Sequence, residues 1–405
     1  MTTQLSGKRI IVGVTGSIAA FKVAGWVSSL VKEEVRVKVI MTESAARFVA
    51  PLTFGAISGE PVHTNLFGEE EHGISHIELA READLVLLAP ATAQTIGRLA
   101  HGLADDLLAT TILATKAKVV ICPAMNSNMY LHPATQRNLE TLKSYGYHVV
   151  DPDVGTMACR EEGPGRLPEW DVVRESVLAS LTPHDLEGRK VLISAGPTRE
   201  ALDPARFLSN RSSGKMGYAL ARAARRRGAE VTLVSGPTSL ETPPGIHRVA
   251  VQSGDEMYQQ IMAHCDGADI VIKSAAVSDF RPKNYMAEKV KKETAALSIE
   301  LEQTKDILKE LGRLKEENGY FLVGFAAESS DIIAQAKKKL EGKNLDLIVV
   351  NDIKGLNTGF EVDTNQVHLV DRDTCRDLPL TTKEHTAELI FDDLVRRLNT
   401  VQEGQ

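Results

Sequence analysis

Residues 7–16 read GKRIIVGVTG, and residues 188–196 read GRKVLISAG. Each stretch consists of a glycine, a basic pair, a short run rich in valine, isoleucine or leucine, and a final glycine. Such apolar runs are typical of buried strands in a parallel sheet, and the final glycine marks a turn. The recurrence predicts two similar α/β units within one chain.

The segment between the two stretches, SLTPHDLEGRK at 180–190, contains Pro183 and Gly188 and has little apolar periodicity. These features are typical of a linker. A chain of 405 residues suits two domains of roughly 200 residues each. We therefore predict one domain at 1–188 and a second at 189–405.

Apolar runs alternate with helical patterns in both halves. Continuous runs of Val, Ile and Leu between helices favour a parallel sheet covered on both faces. The pattern predicts two α/β, doubly wound, Rossmann-like domains, which bind ligands at the carboxyl ends of their strands. The predicted strands are 8–14, 35–40, 84–90, 118–122, 147–150, 190–195, 230–235, 247–251, 269–273, 320–325 and 346–350, and the predicted helices are 17–32, 92–115, 134–145, 214–227, 255–264, 304–317, 329–341 and 383–397.

The composition is that of a soluble globular protein, with 43% hydrophobic and 25% charged residues. A net charge of -7 disfavours a broad surface for nucleic acid or anionic membranes, so phosphate groups need local basic clusters. The four cysteines show neither CxxC spacing nor a disulfide framework, and the N-terminus lacks a basic and apolar signal region. The sequence predicts a cytoplasmic protein.

Small and hydrogen-bonding residues follow three predicted strands of the first half. GVTGSIAAFK places Gly16 and Ser17 before a helix, where free amides and the helix dipole form an anion site. DLVLLAPATAQ runs into Pro90 and three small residues, against which a flat ring could lie. VIMTES ends on Thr42, a possible hydrogen-bonding group. Plain strand-to-helix turns and tight helix–sheet packing explain the same residues.

Four further residues of this half are candidates for chemistry. His76 precedes a helical run, and a histidine near neutral pKa can act as a base. The strand in KVVICPAMNSNMYLHPATQ ends at Asn126 and Met129 without any charge nearby in sequence. Cys159 lies in GTMACREEGPGRLPE, a Gly- and Pro-rich segment that predicts a long mobile loop. A structural histidine and a free surface thiol are the alternatives.

These motifs occur in one order: GSIAAFK, APATA, SHIEL, PAMNSNM and ACREEGPGR. The order and spacing resemble the phosphopantothenoylcysteine decarboxylase family of flavin-dependent cysteine decarboxylases, of which PAMNxxM is the most specific motif. The resemblance implies a flavodoxin-like flavoprotein fold with bound FMN. Gln94 departs from the asparagine that often follows PATA in the family. The flavin contacts that the resemblance implies are Gly16, Ser17, Ile18, Thr42, Pro90, Ala91, Thr92 and Ala93.

The resemblance also implies a reaction, in which the substrate thiol is oxidised to a thioaldehyde that acts as electron sink for loss of carbon dioxide. By position, His76 is similar to the family's active-site base, and Cys159 to the cysteine that supplies a proton for the final reduction. Asn126 is similar to the amide that holds the substrate carboxylate, with Met129 beside it. A neutral amide in an apolar pocket stabilises a carboxylate less than arginine does, which eases decarboxylation.

In the second half, SAGPTREALDPARFLSNRSSGKMG at 194–217 follows a strand, but its helix starts late, at SSGKMG. A Walker A motif is excluded because Lys215 is followed by Met216. Ser212, Ser213 and Gly214 still predict a phosphate cradle at a helix N-terminus.

A lysine-rich run follows a second strand end in KSAAVSDFRPKNYMAEKVKKE, at 273–293. Asp279 comes directly after the strand, and Lys289 lies within the run. The run is either a solvated face or a polyphosphate site. Lys273 has no role that the sequence assigns.

The second half resembles phosphopantothenate-cysteine ligase through AGPTRE, SNRSSGKMG, EKVKK, GFAAE and KNLDLIVVND. The fused order is similar to that of the bacterial bifunctional enzymes. The resemblance implies that CTP activates the carboxylate of 4'-phosphopantothenate as an acyl-cytidylate, from which the cysteine amine displaces CMP. It implies that Asn210 stabilises the acyl-cytidylate, that Lys289 is essential and that Arg206 binds substrate. TKDI at 304–307 departs from the common NPDI. The CTP contacts that it implies are Ser212, Gly214, Asp279, Lys289, Lys305, Asp306, Ile307, Leu308, Phe325, Lys339 and Lys343.

The same resemblance implies the remaining partners. Charge at the α-phosphate requires cations, and Mg²⁺ would bind mainly through substrate phosphates, without a dedicated motif. The expected partners are 4'-phosphopantothenate, cysteine and CTP, with neither nucleic acid nor membrane. A homo-oligomer is expected, with trimeric contacts in the decarboxylase half and dimeric contacts in the ligase half.

Two other classes of protein compete with this interpretation. A nicotinamide-dependent oxidoreductase is disfavoured because neither half has GxGxxG with an acidic residue about twenty positions on. A flavin-binding regulatory subunit is disfavoured because His76, Asn126 and Cys159 are all present beside a ligase half.

Overall fold

The structure is a computed structural model that describes residues 3–67, 75–157, 160–289, 298–328, 332–352, 359 and 362–403. The chain divides into two compact units, residues 2–183 and 184–405. Within the described ranges, every helix is too short or too polar to cross a membrane.

The sheet of the first unit consists of β1 (Arg9–Val14), β2 (Arg36–Met41), β3 (Val62–His63), β4 (Leu85–Ala91), β5 (Lys118–Pro123) and β6 (His148–Val149). Its six strands are all parallel, in the order β3-β2-β1-β4-β5-β6. This order is that of a Rossmann-like doubly wound sheet, with a switch point between β1 and β4. Buried apolar clusters cover both faces, which confirms the predicted architecture.

The helices of the first unit are α1 (Ala20–Lys32), α2 (Glu43–Ala46), α3 (Pro51–Ser58), α4 (Ser75–Glu82), α5 (Ala93–Ala100), α6 (Leu107–Ala114), α7 (Ser127–Leu131), α8 (Pro133–Ser144) and α9 (Trp170–Leu181). The prediction of one helix over 92–115 is wrong. Gly102 adopts φ of 67° just after α5, a conformation that glycine favours. Asp106 then starts α6, since its Oδ1 accepts a hydrogen bond from the Ala109 amide at 2.7 Å.

A hairpin replaces part of the predicted long loop at 155–169. It consists of the antiparallel strands β7 (Asp153–Thr156) and β8 (Glu162–Arg166). Cys159 belongs to the connection between these strands and lies outside the described residues.

The strands of the second unit are β9 (Lys190–Ala195), β10 (Arg199–Ala201), β11 (Phe207–Ser209), β12 (Glu230–Ser235), β13 (His247–Ala250), β14 (Ile270–Lys273), β15 (Phe280–Pro282), β16 (Leu301–Gln303), β17 (Phe321–Glu328), β18 (Leu347–Asp352), β19 (Thr364–Asn365), β20 (Val367–Val370), β21 (Cys375–Asp377) and β22 (Thr381–Thr382). The large sheet has the order β13-β12-β9-β14-β17-β18-β20-β21. Its first six strands are parallel to one another. β20 pairs antiparallel with β18, and β21 pairs antiparallel with β20. The sequence predicted the parallel part and missed the short antiparallel strands.

The helices of the second unit are α10 (Lys215–Arg226), α11 (Gly254–His264), α12 (Ile307–Asn318), α13 (Ile332–Gly342) and α14 (Lys383–Glu403). The core beneath α10 and α14 lies on one face of the sheet, and the core beneath α11, α12 and α13 lies on the other. The second unit is therefore doubly wound as well.

Candidate functional site

Hydrogen bonds of one threonine link the carboxyl ends of β1 and β4 at the switch point of the first sheet. Thr15 is buried, and its hydroxyl donates to the Pro90 carbonyl oxygen at 2.5 Å and accepts from the Thr92 amide at 3.1 Å. The crevice at such a switch point is the usual ligand site of a doubly wound sheet.

Tight turns follow the strands at this edge. A Cβ on Gly16 would lie 2.5 Å from the Cβ of Ser44, so only glycine allows this close approach. The hydroxyl of Thr42 accepts from the Ala45 amide at 3.2 Å. Thr92 begins α5, and α1 begins just after the Gly16 turn. The N-termini of α1 and α5 therefore lie at the predicted flavin-binding edge, where they favour an anionic group.

A cavity of about 450 Å³ lies beside this edge. Three predicted site residues line it, Ser17, Ile18 and Asn126, whereas His76 lies in the first turn of α4 and does not. Met129 lies in α7, half of it exposed, and also does not line the cavity. Its other lining residues are Ala19, Phe21, Lys22, Ala124, Met125, Thr156, Met157, Gly165, Arg166 and Leu167.

Asn126 begins α7, and both ends of its amide are engaged. Its Oδ1 accepts from the Asn128 amide at 2.9 Å, and its Nδ2 donates to Oε2 of Glu161 at 2.5 Å. The prediction of surroundings free of charge is therefore wrong, because Glu161 contacts the amide and Arg166 lines the cavity. Sequence reasoning missed Glu161 because it lies in the hairpin connection, far along the chain.

Two glycines of the hairpin allow it to pack closely against the end of β5. The Met125 amide donates to the Gly165 carbonyl at 3.0 Å. A Cβ on Gly165, which has φ of 138°, would lie 2.2 Å from the Met125 carbonyl oxygen, and one on Gly163 would lie 2.4 Å from Oγ of Ser127. The GPG sequence at 163–165 is the signal from which this contact could have been found.

In the second unit, α10 packs closely against the end of β9. A Cβ on Gly217 would lie 2.5 Å from that of Ala195, and Gly214 has φ of 79°. The Gly214 amide donates to Oγ of Ser212 at 3.3 Å. A small cavity of about 50 Å³ lies at this helix N-terminus, and its lining includes the three predicted residues of the phosphate cradle, Ser212, Ser213 and Gly214.

Lys383, which sequence reasoning missed, lines the same cavity. Its Nζ donates to the Gly359 carbonyl at 3.0 Å and to the Val362 carbonyl. Burial, followed by the charge of Lys215, lowers the pKa of Lys383 to about 8. The lining of the cradle cavity thus includes a lysine whose amine is bonded to backbone carbonyls.

Asn210 and Arg206 precede this cradle in the connection from β9 to α10. The Asn210 Nδ2 donates to the carbonyls of Ala276 and Val277, at 3.1 and 3.2 Å. Arg206 pairs with the buried carboxylate of Asp203 at 2.6 Å. Asn210 is therefore oriented by the segment after β14.

A larger cavity of about 550 Å³ includes Lys305, Asp306 and Lys343 in its lining. Nζ of Lys343 lies 2.8 Å from Oδ2 of Asp306, and Nζ of Lys305 lies 4.5 Å from the ring centre of Tyr258. Burial by itself would raise the pKa of Asp306, but the Lys343 and Lys309 hydrogen bonds bring it below its usual value. Tyr258 was not among the predicted residues.

The other predicted CTP contacts are dispersed around this edge. Ile307 and Leu308 are buried in the first turn of α12, and Phe325 is half-buried in β17. Asp279 and Lys289 are exposed, and neither lines the two cavities. Among the residues that the structure describes, no three His, Cys, Asp or Glu side chains gather where they could hold a metal ion.

Comparison with known proteins gives the same division of the chain. Residues 1–182 match the flavoprotein family, and residues 186–398 match the C-terminal domain of DNA/pantothenate metabolism flavoproteins. The coenzyme A biosynthesis bifunctional protein CoaBC of Bacillus subtilis is 50% identical over 94% of this chain and 95% of its own. The CoaBC protein of Vibrio cholerae is 46% identical over 96% and 98%, and that of Escherichia coli is 45% identical over 97% and 98%. The chain therefore belongs to the family of coenzyme A biosynthesis bifunctional proteins.

Proposed function

We propose that the second unit joins cysteine to 4'-phosphopantothenate with CTP and that the first unit decarboxylates the product, with FMN, to 4'-phosphopantetheine. Family membership over nearly the whole chain supports two linked activities. The observation that carries the division of labour is which predicted residues line the cavities of each unit. The first cavity has the Asn126 amide, with Lys22 and Arg166 also in its lining, and the cavities of the second unit have the predicted phosphate cradle, Lys305 and Lys343.

The residues at the first edge fit an FMN. The turn at Gly16 has no room for a side chain. Ala91 is buried at the end of β4, and the half-buried Ala93 presents only a small side chain to a flat ring. The N-termini of α1 and α5 suit a phosphate group. Bound FMN would supply the two-electron oxidation and reduction of the substrate at its thiol end.

In this proposal the Asn126 amide holds the substrate carboxylate, with Met129 nearby. Glu161 already accepts a hydrogen bond from the Nδ2 group, so a substrate carboxylate at this amide would compete with Glu161 and be repelled by its charge. The neutral amide binds the carboxylate without neutralising its charge, so its loss as carbon dioxide remains favourable. His76 would act as the base, and Cys159 would supply the final proton, as the motif positions suggest.

In the second unit we assign the acyl-cytidylate to Asn210 and the 4'-phosphopantothenate to Arg206. The carboxylate of that substrate attacks the α-phosphate, pyrophosphate leaves, and the cysteine amine then displaces CMP. Lys289 and the other cations would stabilise the charge that develops at the phosphate. Mg²⁺ would bind through the phosphates themselves. CTP would contact the cradle residues and also Asp279, the 305–308 turn, Phe325, Lys339 and Lys343.

One feature of the described residues bears on assembly. Asn126 lines the 450 Å³ cavity and His76 does not, which supports a homo-oligomer in which a neighbour completes the site. We propose trimeric contacts for the first unit and dimeric contacts for the second, in a cytoplasmic enzyme.

The test uses the purified full chain with 4'-phosphopantothenate, cysteine, CTP and Mg²⁺. Pyrophosphate and carbon dioxide should be released in equal amounts, and the preparation should show a flavin absorbance. Replacing CTP by ATP should slow pyrophosphate release. Absence of both products would refute the proposal, and equal rates with ATP would refute its nucleotide preference.

A further inference from the structure

Lys273 ends β14 in the middle of the second sheet, and the motifs of this unit give it no role. Side chains alternate between the two faces along a strand. Ile272 packs in the core beneath α10 and α14, whereas Val271 packs in the core beneath α11, α12 and α13. Lys273 therefore faces the same side as Val271, where the cavity with Lys305 and Lys343 lies.

Lys273 is bonded to the segment that orients Asn210. Its Nζ donates to the Ala275 carbonyl oxygen at 2.6 Å. The next two carbonyls, of Ala276 and Val277, accept from the Asn210 Nδ2 group. A single lysine thus fixes the chain immediately before the two acceptors that hold this amide in place.

Charged groups from three neighbouring elements act on the Lys273 amine. They are Lys343 just after α13, Asp306 at the start of α12, and Asp279 after β14. Burial, followed by repulsion from Lys343, lowers the pKa of Lys273 to about 8, against the attraction of the two carboxylates. The ammonium form prevails below that pH and is lost above it, so the charged hydrogen bond to Ala275 weakens as the pH rises through about 8.

We propose that Lys273 is a positioning residue of the ligase reaction, whose ammonium group fixes the Ala275 carbonyl and thereby holds the Asn210 amide towards the acyl-cytidylate. The inference rests on the ligase function proposed above. It adds a residue that contacts neither the substrate nor CTP and acts through Asn210.

The experiment measures the burst of pyrophosphate that the full chain releases with 4'-phosphopantothenate, CTP and Mg²⁺. Cysteine is omitted, because its thiol titrates in the same range, at about pH 8.5. The wild-type burst rate should decline as the pH rises through about 8. Lys273→Met should lower the rate at neutral pH roughly ten- to a hundredfold, the effect of a lost charged hydrogen bond, and should leave only the decline that Lys383, whose pKa is also lowered to about 8, contributes. Lys273→Arg keeps a charged donor, so its rate at neutral pH should stay near the wild-type value.

Two further variants separate a positioning role from a general loss of structure. Lys343→Met, measured at saturating CTP, removes the repelling charge, so the decline should move to higher pH. Lys338→Met is the matched control, because Lys338 is exposed on α13, the helix that immediately precedes Lys343. This variant should keep the wild-type pH profile. Decarboxylation of supplied 4'-phospho-N-pantothenoylcysteine, with the thermal midpoint, shows that each variant is folded.

The outcomes are distinct. A wild-type burst rate at neutral pH in Lys273→Met overturns the inference and leaves the ligase function standing. The absence of any burst from the wild-type chain overturns the ligase function and this inference together.

Discussion

The two units begin with the same strand-and-glycine stretch but differ in the connection from that strand to its helix. In the first unit, residues 15–19 connect β1 to α1, so the helix N-terminus lies directly at the strand end. In the second unit, residues 196–214 connect β9 to α10 and include the β10–β11 hairpin. That longer connection carries Arg206 and Asn210. A single architecture thus acquires a second set of polar groups by lengthening one turn.

The edges also differ in the predicted groups that line their cavities, although basic side chains occur at both, since Lys22 and Arg166 line the first cavity. The only predicted catalytic group that lines the 450 Å³ cavity within the described first unit is Asn126. The described cavities of the second unit include Lys215, Lys305, Lys343 and Lys383 in their linings. The fold positions ligands at the same edge in both units, and the side chains there determine the chemistry. In the proposed reactions, the neutral amide of Asn126 serves decarboxylation, and the lysines of the second unit serve transfer at a phosphate.

The largest effect should come from placing a charge at the first edge. Asn126→Asp puts a carboxylate where the substrate carboxylate is proposed to bind and beside Glu161. We expect carbon dioxide release to fall roughly a thousandfold, comparable with loss of a transition-state hydrogen-bond donor. Flavin absorbance and pyrophosphate release should persist. Measured decarboxylation above a tenth of the wild-type rate would contradict the role of Asn126.

The reciprocal change in the second unit is Asn210→Ala. It removes the amide that the 276–277 carbonyls orient, and we expect pyrophosphate release to fall roughly a hundredfold. Decarboxylation of supplied 4'-phospho-N-pantothenoylcysteine is the control and should be unchanged. If both activities fell together, the two edges would not work independently.

Local sequence patterns predicted the central strands of both sheets to within a few residues, because each is a continuous apolar run between helices. They failed over 92–115, where the break at Gly102 depends on its left-handed backbone conformation. They also failed for the β7–β8 hairpin, since its EGPGR strand has no apolar alternation. The contact between Asn126 and Glu161 joins residues distant in sequence, which no local pattern encodes.

An intermediate effect should result from Gly165→Ala. Its Cβ would lie 2.2 Å from the Met125 carbonyl oxygen at a φ of 138°, so the hairpin must shift away from β5. We expect a loss of about 1–3 kcal/mol in the free energy of unfolding and roughly tenfold slower decarboxylation. Urea unfolding and carbon dioxide release measure the two effects.

The matched control for this glycine is Gly25→Ala. Gly25 lies within α1, and a Cβ there would meet nothing within 4 Å. Alanine should therefore raise the free energy of unfolding by about 0.5–1 kcal/mol, as expected in a helix. Equal destabilisation by both substitutions would contradict the close contact of Gly165 with the Met125 carbonyl as the cause of the loss.

The smallest effect should come from Glu161→Gln. The wild-type carboxylate accepts from the Asn126 Nδ2 group at 2.5 Å, so it competes with the substrate for that proton. Glutamine makes a weaker, uncharged hydrogen bond and removes the repulsion between two carboxylates, so the KM of decarboxylation should fall roughly two- to fivefold with little change in kcat. Glu162→Gln, at an exposed neighbouring residue, should leave both constants unchanged. An unchanged or higher KM in Glu161→Gln would mean that the substrate carboxylate binds elsewhere than at Asn126.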